Sequence, residues 1–235
     1  MDLETKDLVV SKRQDDEVKI YVSSSPKCGT TWIKALTFSI VNRNQFAMEE
    51  TPLRDVCPHQ LVPYFENPRD TFISHWIYAN KLRAENVEPL SLDEAFEKFC
   101  QGINGFGPFF DHVLGYWNAS QENPNKILFL QYEDLKEDIV SHVKRLAMFL
   151  GFPFTDEEEK HGTVEEIVKT CSFGNLKELD VNKNGIGPFG TPNNYLFRKA
   201  EVGDWSNYLT PAMVERFEKL TQENMDKSGL TFRLS

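Results

Sequence analysis

Apolar positions along this chain switch between two periods, and the first switch is the most informative. Val18-Lys-Ile-Tyr-Val-Ser23 is rich in β-branched and aromatic residues and predicts a strand. Ser24-Ser-Pro-Lys-Cys-Gly29 predicts a sharp turn. From Thr30 to Asn42 the residues Trp32, Ile33, Leu36, Phe38, Ile40 and Val41 fit a largely buried helix. Pro68 to Leu82 reads as another helix, with proline at its start, where a missing N–H costs least. Ser91-Leu-Asp-Glu94 predicts a capping box opening a helix to about Gln101. A further amphipathic helix is expected over Phe109 to Asn118. Lys126-Ile-Leu-Phe-Leu-Gln131 predicts a second strand, and Tyr132 to Leu150 one long helix stopped by Gly151. Beyond Thr155 come short helices, a Gly/Pro/Asn-rich loop at 182–194, and a last helix from near Thr210-Pro211. Strand, glycine turn and helix are the opening of an α/β fold, although two clear strands are fewer than such a domain usually carries.

Composition narrows the picture. A chain of 235 residues, 40% hydrophobic and 12% aromatic, suits one packed domain over 1–235. No apolar run approaches the ~20 residues that span a bilayer. Met1-Asp-Leu-Glu-Thr-Lys6 has no apolar signal-peptide core, so a cytoplasmic protein with no membrane partner is expected. The four cysteines, Cys28, Cys57, Cys100 and Cys171, have no metal-like spacing, and no Asp/Glu cluster suggests a metal site. A net charge of −10 would repel a polyanion, which argues against nucleic acid. A small anion could still bind where a few fixed donors converge.

Such donors are expected at Ser25-Pro-Lys-Cys-Gly-Thr-Thr-Trp32. A strand running through a glycine turn into a helix start presents unpaired N–H groups at the positive end of the helix dipole, which suits phosphate. Lys27 adds a cation, and Thr30 and Thr31 add hydroxyls. The nucleotide-triphosphate loop G-x-x-x-x-G-K-[ST] does not match, since the lysine precedes the glycine by two residues and the first glycine is missing. A kinase or NTPase of that kind is therefore not expected. Without its flanking elements, Pro-Lys-x-Gly would be an ordinary βα turn with a surface lysine.

The string Pro26-Lys-Cys-Gly-Thr-Thr-Trp32 resembles the signature loop of cytosolic sulfotransferases, and further segments agree in order. Asn67-Pro-Arg-Asp-Thr-Phe-Ile-Ser74 resembles the family's 3′-phosphate element, and Gln131-Tyr-Glu-Asp-Leu-Lys136 the element whose tyrosine lines the nucleotide site. Cys171-Ser-Phe173 resembles an adenine-side Thr-Ser-Phe, with cysteine replacing threonine. Phe197-Arg-Lys-Ala-Glu-Val-Gly-Asp-Trp205 resembles the Arg-Lys-Gly loop that clamps the 3′-phosphate. Pro58-His-Gln-Leu-Val-Pro63 and His112-Val-Leu-Gly-Tyr-Trp117 look like the plant members.

The resemblance implies a central parallel sheet flanked by helices, with the nucleotide at the strand C-terminal ends and a P-loop-like turn gripping its phosphosulfate. It implies transfer of a sulfuryl group from 3′-phosphoadenosine-5′-phosphosulfate to a hydroxyl of a small acceptor, such as a phenol, steroid, flavonoid or desulfoglucosinolate. Lys27 would be the catalytic cation, stabilising charge on the bridging oxygen. Lys27, Cys28, Gly29, Thr30, Thr31 and Trp32 would hold the phosphosulfate end and adenine. Ser74, Tyr132, Cys171, Phe173, Arg198, Lys199 and Ala200 would complete the nucleotide site. No metal is implied, and the family's dimer-contact motif has no clean match, which leaves the oligomeric state open.

The chain departs from the family at one place. Between the signature loop and Asn-Pro-Arg-Asp, members carry a longer stretch with a catalytic histidine in a Thr-His-Leu-Pro-like string and a strand ending in Arg-Asn-Pro. Here Leu61-Val-Pro-Tyr-Phe65 runs directly into Glu66-Asn67-Pro68, with Glu66 at the arginine position. Either several tens of residues are lost, as a lost exon would produce, or the sequence as written passes over them. Sulfuryl transfer needs a base near the acceptor oxygen, and histidine suits it. Of the five histidines, His112 could border the acceptor pocket, while His59, His75, His142 and His161 read as structural or solvated. The alternative function is thus a catalytically impaired nucleotide-binding relative.

Overall fold

A computed structural model describes residues 30–45, 68–84, 86–103, 107–125, 127–187 and 190–232. The turn Ser25–Gly29, the predicted strand at 18–23 and the junction at 65–67 lie outside the described residues.

The first helix, α1, covers Thr30–Asn42, as its apolar pattern predicts. It is enclosed on most sides, since Ile33, Leu36 and Ile40 are buried together with Thr37, Ser39 and Asn42. Next come α2 (Pro68–Lys81), α3 (Leu92–Cys100) and α4 (Phe109–Glu122). Ser91 caps α3 by accepting the N–H of Glu94, but the Glu94 carboxylate takes Lys98. The full capping box lies instead at Thr155 and Glu158, where each side chain accepts the other's backbone N–H.

The long helix expected over 132–150 is two helices, α5 (Tyr132–Glu137) and α6 (Ile139–Phe149). The break falls at Asp138, whose carboxylate accepts the Ser141 N–H at 3.1 Å and so starts a new helix. Gly151 does stop α6. At φ +79° it lets its own N–H reach Met148 O and the Phe152 N–H reach Ala147 O. Short helices follow, α7 (Asp156–Lys160), α8 (Thr163–Thr170), α9 (Phe173–Glu178) and α10 (Asp180–Lys183). Two 3-10 turns, Asn193–Leu196 and Asp204–Asn207, precede α11 (Pro211–Met225), which Thr210 caps.

The sheet is where expectation and structure differ. Among the described residues no strand forms, and the only β pairing is an isolated antiparallel bridge between Ile186 and Pro192. Residues 127–131, predicted as a strand, run as irregular chain into α5. An edge must have a partner before its N–H and C=O groups form a ladder, and the other predicted strand lies outside the described residues. The 182–194 segment is partly ordered by Asn193, a buried residue whose amide donates to Val181 O at 2.9 Å.

Among the described residues three apolar clusters carry the packing. The largest joins α1 to α5, α6 and α8 through Leu36, Ile40, Leu135, Val143 and Ile167, and takes in Cys171 and Phe197. A second packs Phe72 and Ile73 of α2 against Phe96 of α3 and Phe217 of α11. Full burial of a ring such as Phe217 contributes about 2–3 kcal/mol. A third joins Phe109, Phe110 and Val113 of α4 to Met225 and Leu230. Arg43, just past α1, ties that helix to the stretch before α7. Its guanidinium pairs with Glu158 at 2.6 Å, reaches three backbone carbonyls and lies 4.6 Å over the Phe154 ring. The Arg43 hydrogen bond chiefly lowers the Glu158 carboxyl to about 2, against the raising effect of burial.

Candidate nucleotide site

The largest cluster sets the start of α1 beside the start of α5. Trp32, in the first turn of α1, meets the Tyr132 ring edge-on at 5.7 Å and 73°. Such a pair contributes about 0.5–1.5 kcal/mol beyond area burial. The Lys136 ammonium stands 6.0 Å over the Trp32 ring. Two residues assigned to the nucleotide from separate motifs are therefore in contact. Thr31 is half-buried beside them, whereas Lys27, Cys28 and Gly29 lie outside the described residues, as does the Thr30 side chain.

Cys171 is placed differently. Its side chain is fully enclosed, with Sγ 3.3 Å from Ser39 Oγ, and burial pushes the thiol up to about 12. It offers a ligand no side-chain surface in this arrangement. Phe173, two residues on, is half-buried at the start of α9, and its ring lies 6.0 Å from that of Phe197. That contact links the 171–173 segment to the loop carrying Arg198 and Lys199.

The 197–205 loop is pinned to α2. The Asp70 carboxylate accepts the N–H of Gly203 at 2.8 Å and of Trp205 at 3.0 Å. The guanidinium of Arg69, almost wholly buried, stacks 4.6 Å over the Trp205 ring and reaches Glu218 at 3.1 Å. Burial raises the Asp70 carboxyl above its ordinary value, although the Gly203 and Trp205 N–H groups and Arg198 pull the other way. Ser74 is buried one turn further along α2. The two segments assigned to the 3′-phosphate are thus physically joined.

Within the loop, Arg198 and Lys199 both pair with Asp204, Lys199 at 2.7 Å. Burial alone would raise the Asp204 carboxyl, but hydrogen bonds from Lys199, Arg198 and Asn207 outweigh it and hold it at about 2. The sequence reading passed over Asp204 and Asp70. The available signal was an acid five and six residues beyond a Lys-Arg pair, set between Gly203 and Trp205. Ala200 occupies the glycine position of the Arg-Lys-Gly loop, with φ +57°. Left-handed backbone costs a β-carbon residue about 1–2 kcal/mol, while glycine adds about 0.4–1 kcal/mol of unfolded-chain entropy. Ala200→Gly is therefore expected to raise stability by up to about 1 kcal/mol, read as a higher Tm in thermal denaturation. A lower Tm would mean that the Ala200 methyl makes a stabilising contact.

His112 is half-buried on α4, its ring edge-on to Tyr116 at 5.4 Å, and burial lowers its pKa. His161 is exposed, with Nδ1 2.7 Å from Glu157 O; His75 and His142 are half-buried on α2 and α6; His59 lies outside the described residues. Among the described residues no His, Cys, Asp and Glu group could hold a metal ion, and no helix is long and apolar enough to cross a membrane.

The sulfotransferase domain family matches residues 17–67 and 65–229. The chain belongs to the sulfotransferase family. It is similar to cytosolic sulfotransferase 15 of Arabidopsis thaliana, 43% identical over 94% of this chain and 76% of the relative. The flavonol 4′-sulfotransferase of Flaveria chlorifolia is 39% identical over 94% of this chain and 82% of its own. A mouse sulfotransferase crystallised with PAP superposes with a TM-score of 0.66 at 26% identity, covering 90% of this chain and 85% of that one. Family membership makes this an enzyme of sulfuryl transfer by descent, with plant relatives. The family match also falls into two blocks that meet at residues 65–67. The alignment to the Arabidopsis sulfotransferase runs over 272 positions, yet 94% of 235 residues is about 221. About 50 aligned positions of that sulfotransferase therefore face no residue of this chain.

Proposed function

We propose that this chain binds 3′-phosphoadenosine-5′-phosphosulfate as sulfuryl donor, in a site running from the 25–32 turn to the 197–205 loop. The observation that carries the reading is the tie between α2 and that loop through Asp70, which brings the two 3′-phosphate segments together. The donor set fits the ligand. Arg198 supplies a planar fork and Lys199 a point charge, and both suit a phosphate monoester. Trp32, half-buried and backed by the buried Tyr132 ring, supplies an aromatic surface suited to adenine, and Lys27 a cation for the phosphosulfate end. The reading includes a parallel sheet begun by 18–23, a cytosolic location like that in the relatives' names, and a small hydroxylated acceptor of the flavonol or steroid kind.

The test compares donors by calorimetry. Adenosine 5′-phosphosulfate, which lacks the 3′-phosphate, is expected to bind at least about tenfold more weakly than the full donor, the loss of one charge-assisted contact set. Equal affinities would overturn the 3′-phosphate clamp.

A second reading, a catalytically impaired nucleotide-binding relative, is favoured by the two-block match meeting at 65–67. The family's base histidine belongs to the stretch that has no counterpart there. Both readings share the nucleotide site and part only at turnover.

A further inference from the structure

The two cations of the 197–205 loop share one carboxylate, and its placement is unusual. The Asp204 side chain is fully enclosed, whereas those of Arg198 and Lys199 are 15% and 43% exposed. The anion therefore sits on the inside, with the cations between it and solvent. Asp204 Oδ2 accepts from Arg198 Nη1, while Oδ1 accepts from Lys199 Nζ at 2.7 Å and Asn207 Nδ2 at 2.9 Å. One carboxylate thus holds two cations, while Asp70 lies within electrostatic reach of Arg198 and Glu201 within reach of Lys199. An ammonium has three N–H donors and a guanidinium five, so both groups can serve the inner carboxylate and an outer anion together. The backbone beneath is fixed separately, because Asp70 takes the N–H groups on either side of Asp204, those of Gly203 and Trp205.

We infer that Asp204 is a positioning residue for phosphate recognition: it holds Arg198 Nη1 and Lys199 Nζ in place, on a loop that Asp70 anchors, and leaves their remaining donors for a terminal phosphate monoester. This rests on the reading of 197–205 as the 3′-phosphate clamp. A long cation left to itself would sample many rotamers and lose that freedom on binding. An inner carboxylate removes that freedom in advance, in the way outer partners orient the groups that touch a ligand. The Asp204 side chain has no exposed surface with which to touch the nucleotide.

The experiment is calorimetry of wild type and Asp204→Asn with adenosine 3′,5′-bisphosphate and with adenosine 5′-monophosphate. Bisphosphate affinity is expected to fall about tenfold or more, from the loss of charge-assisted positioning, with monophosphate affinity unchanged. Equal loss for both nucleotides would reduce Asp204 to a general structural role, and unchanged or tighter bisphosphate binding would make it idle or a competitor; each overturns the inference. Wild type that fails to prefer the bisphosphate sinks the clamp itself, and the inference with it. Should Asp204→Asn not fold, Asn207→Ala serves instead, removing one bond to the carboxylate from an exposed residue. A smaller loss confined to the bisphosphate supports the inference, and no selective loss overturns it.

Discussion

Grafting a family-like segment, histidine and arginine included, between Phe65 and Asn67 is expected to raise the rate of sulfuryl transfer by about 10²–10⁴-fold, the usual worth of general-base assistance. The chain as it stands runs Phe65-Glu66-Asn67, at the point where the family match divides into two blocks. The family resemblance aligns Glu66 with an arginine assigned to the 3′-phosphate, so the graft is also expected to tighten donor binding. The assay follows transfer from radiolabelled donor to a panel of phenols, steroids and desulfoglucosinolates. Equal rates in the two proteins would overturn the missing-base argument. His112 would then be the first residue to replace. Burial lowers its pKa, which favours the neutral ring that a base needs. A pH–rate profile whose acid limb disappears in His112→Asn would assign the base to it.

What the sequence disclosed depended on how local the governing interactions were. The Thr30–Asn42 helix was legible to its ends, because nearly every turn carries apolar residues that the largest cluster buries. The α5–α6 break was not. Its cause is a single side-chain hydrogen bond at Asp138, while the apolar pattern runs on through it. A ladder is a property of two segments, so 127–131 alone forms none among the described residues.

The site divides along the same line. Trp32 and Tyr132 were named from separate motifs and meet in space. Cys171 was named from a motif whose threonine it replaces, but its thiol turns into the core toward Ser39. Arg198 and Lys199 were legible as a pair, whereas their shared partner was not. An acid in a charged loop usually reads as solvated, and Asp204 gains its role by enclosure, on a backbone fixed by Asp70 from 133 residues away at Gly203.

Lys27→Ala is expected to weaken binding of adenosine 3′,5′-bisphosphate by about 2–4 kcal/mol, or about 30- to 1,000-fold, the loss of one charge-assisted contact to a phosphate. A 13-residue helix starting at Thr30 sets the positive end of its dipole at its first turn, and the sequence puts Lys27 three residues before it. Against a net charge of −10, the nucleotide has no diffuse attraction to fall back on, so each fixed cation matters more. Far-ultraviolet circular dichroism and Tm are expected to be unchanged, the readout that separates a lost contact from a lost fold. Unchanged affinity would remove the turn from the site. Adenosine 5′-monophosphate separates the two ends of the ligand. Lys27→Ala should weaken it as much as the bisphosphate, since both carry the 5′-phosphate. Asp204→Asn should spare it, since only the bisphosphate carries the 3′-phosphate that the proposed clamp on the 197–205 loop would hold. Opposite selectivities in the two variants would place the nucleotide across the site with its 5′ end at the turn and its 3′ end on the loop that Asp70 anchors.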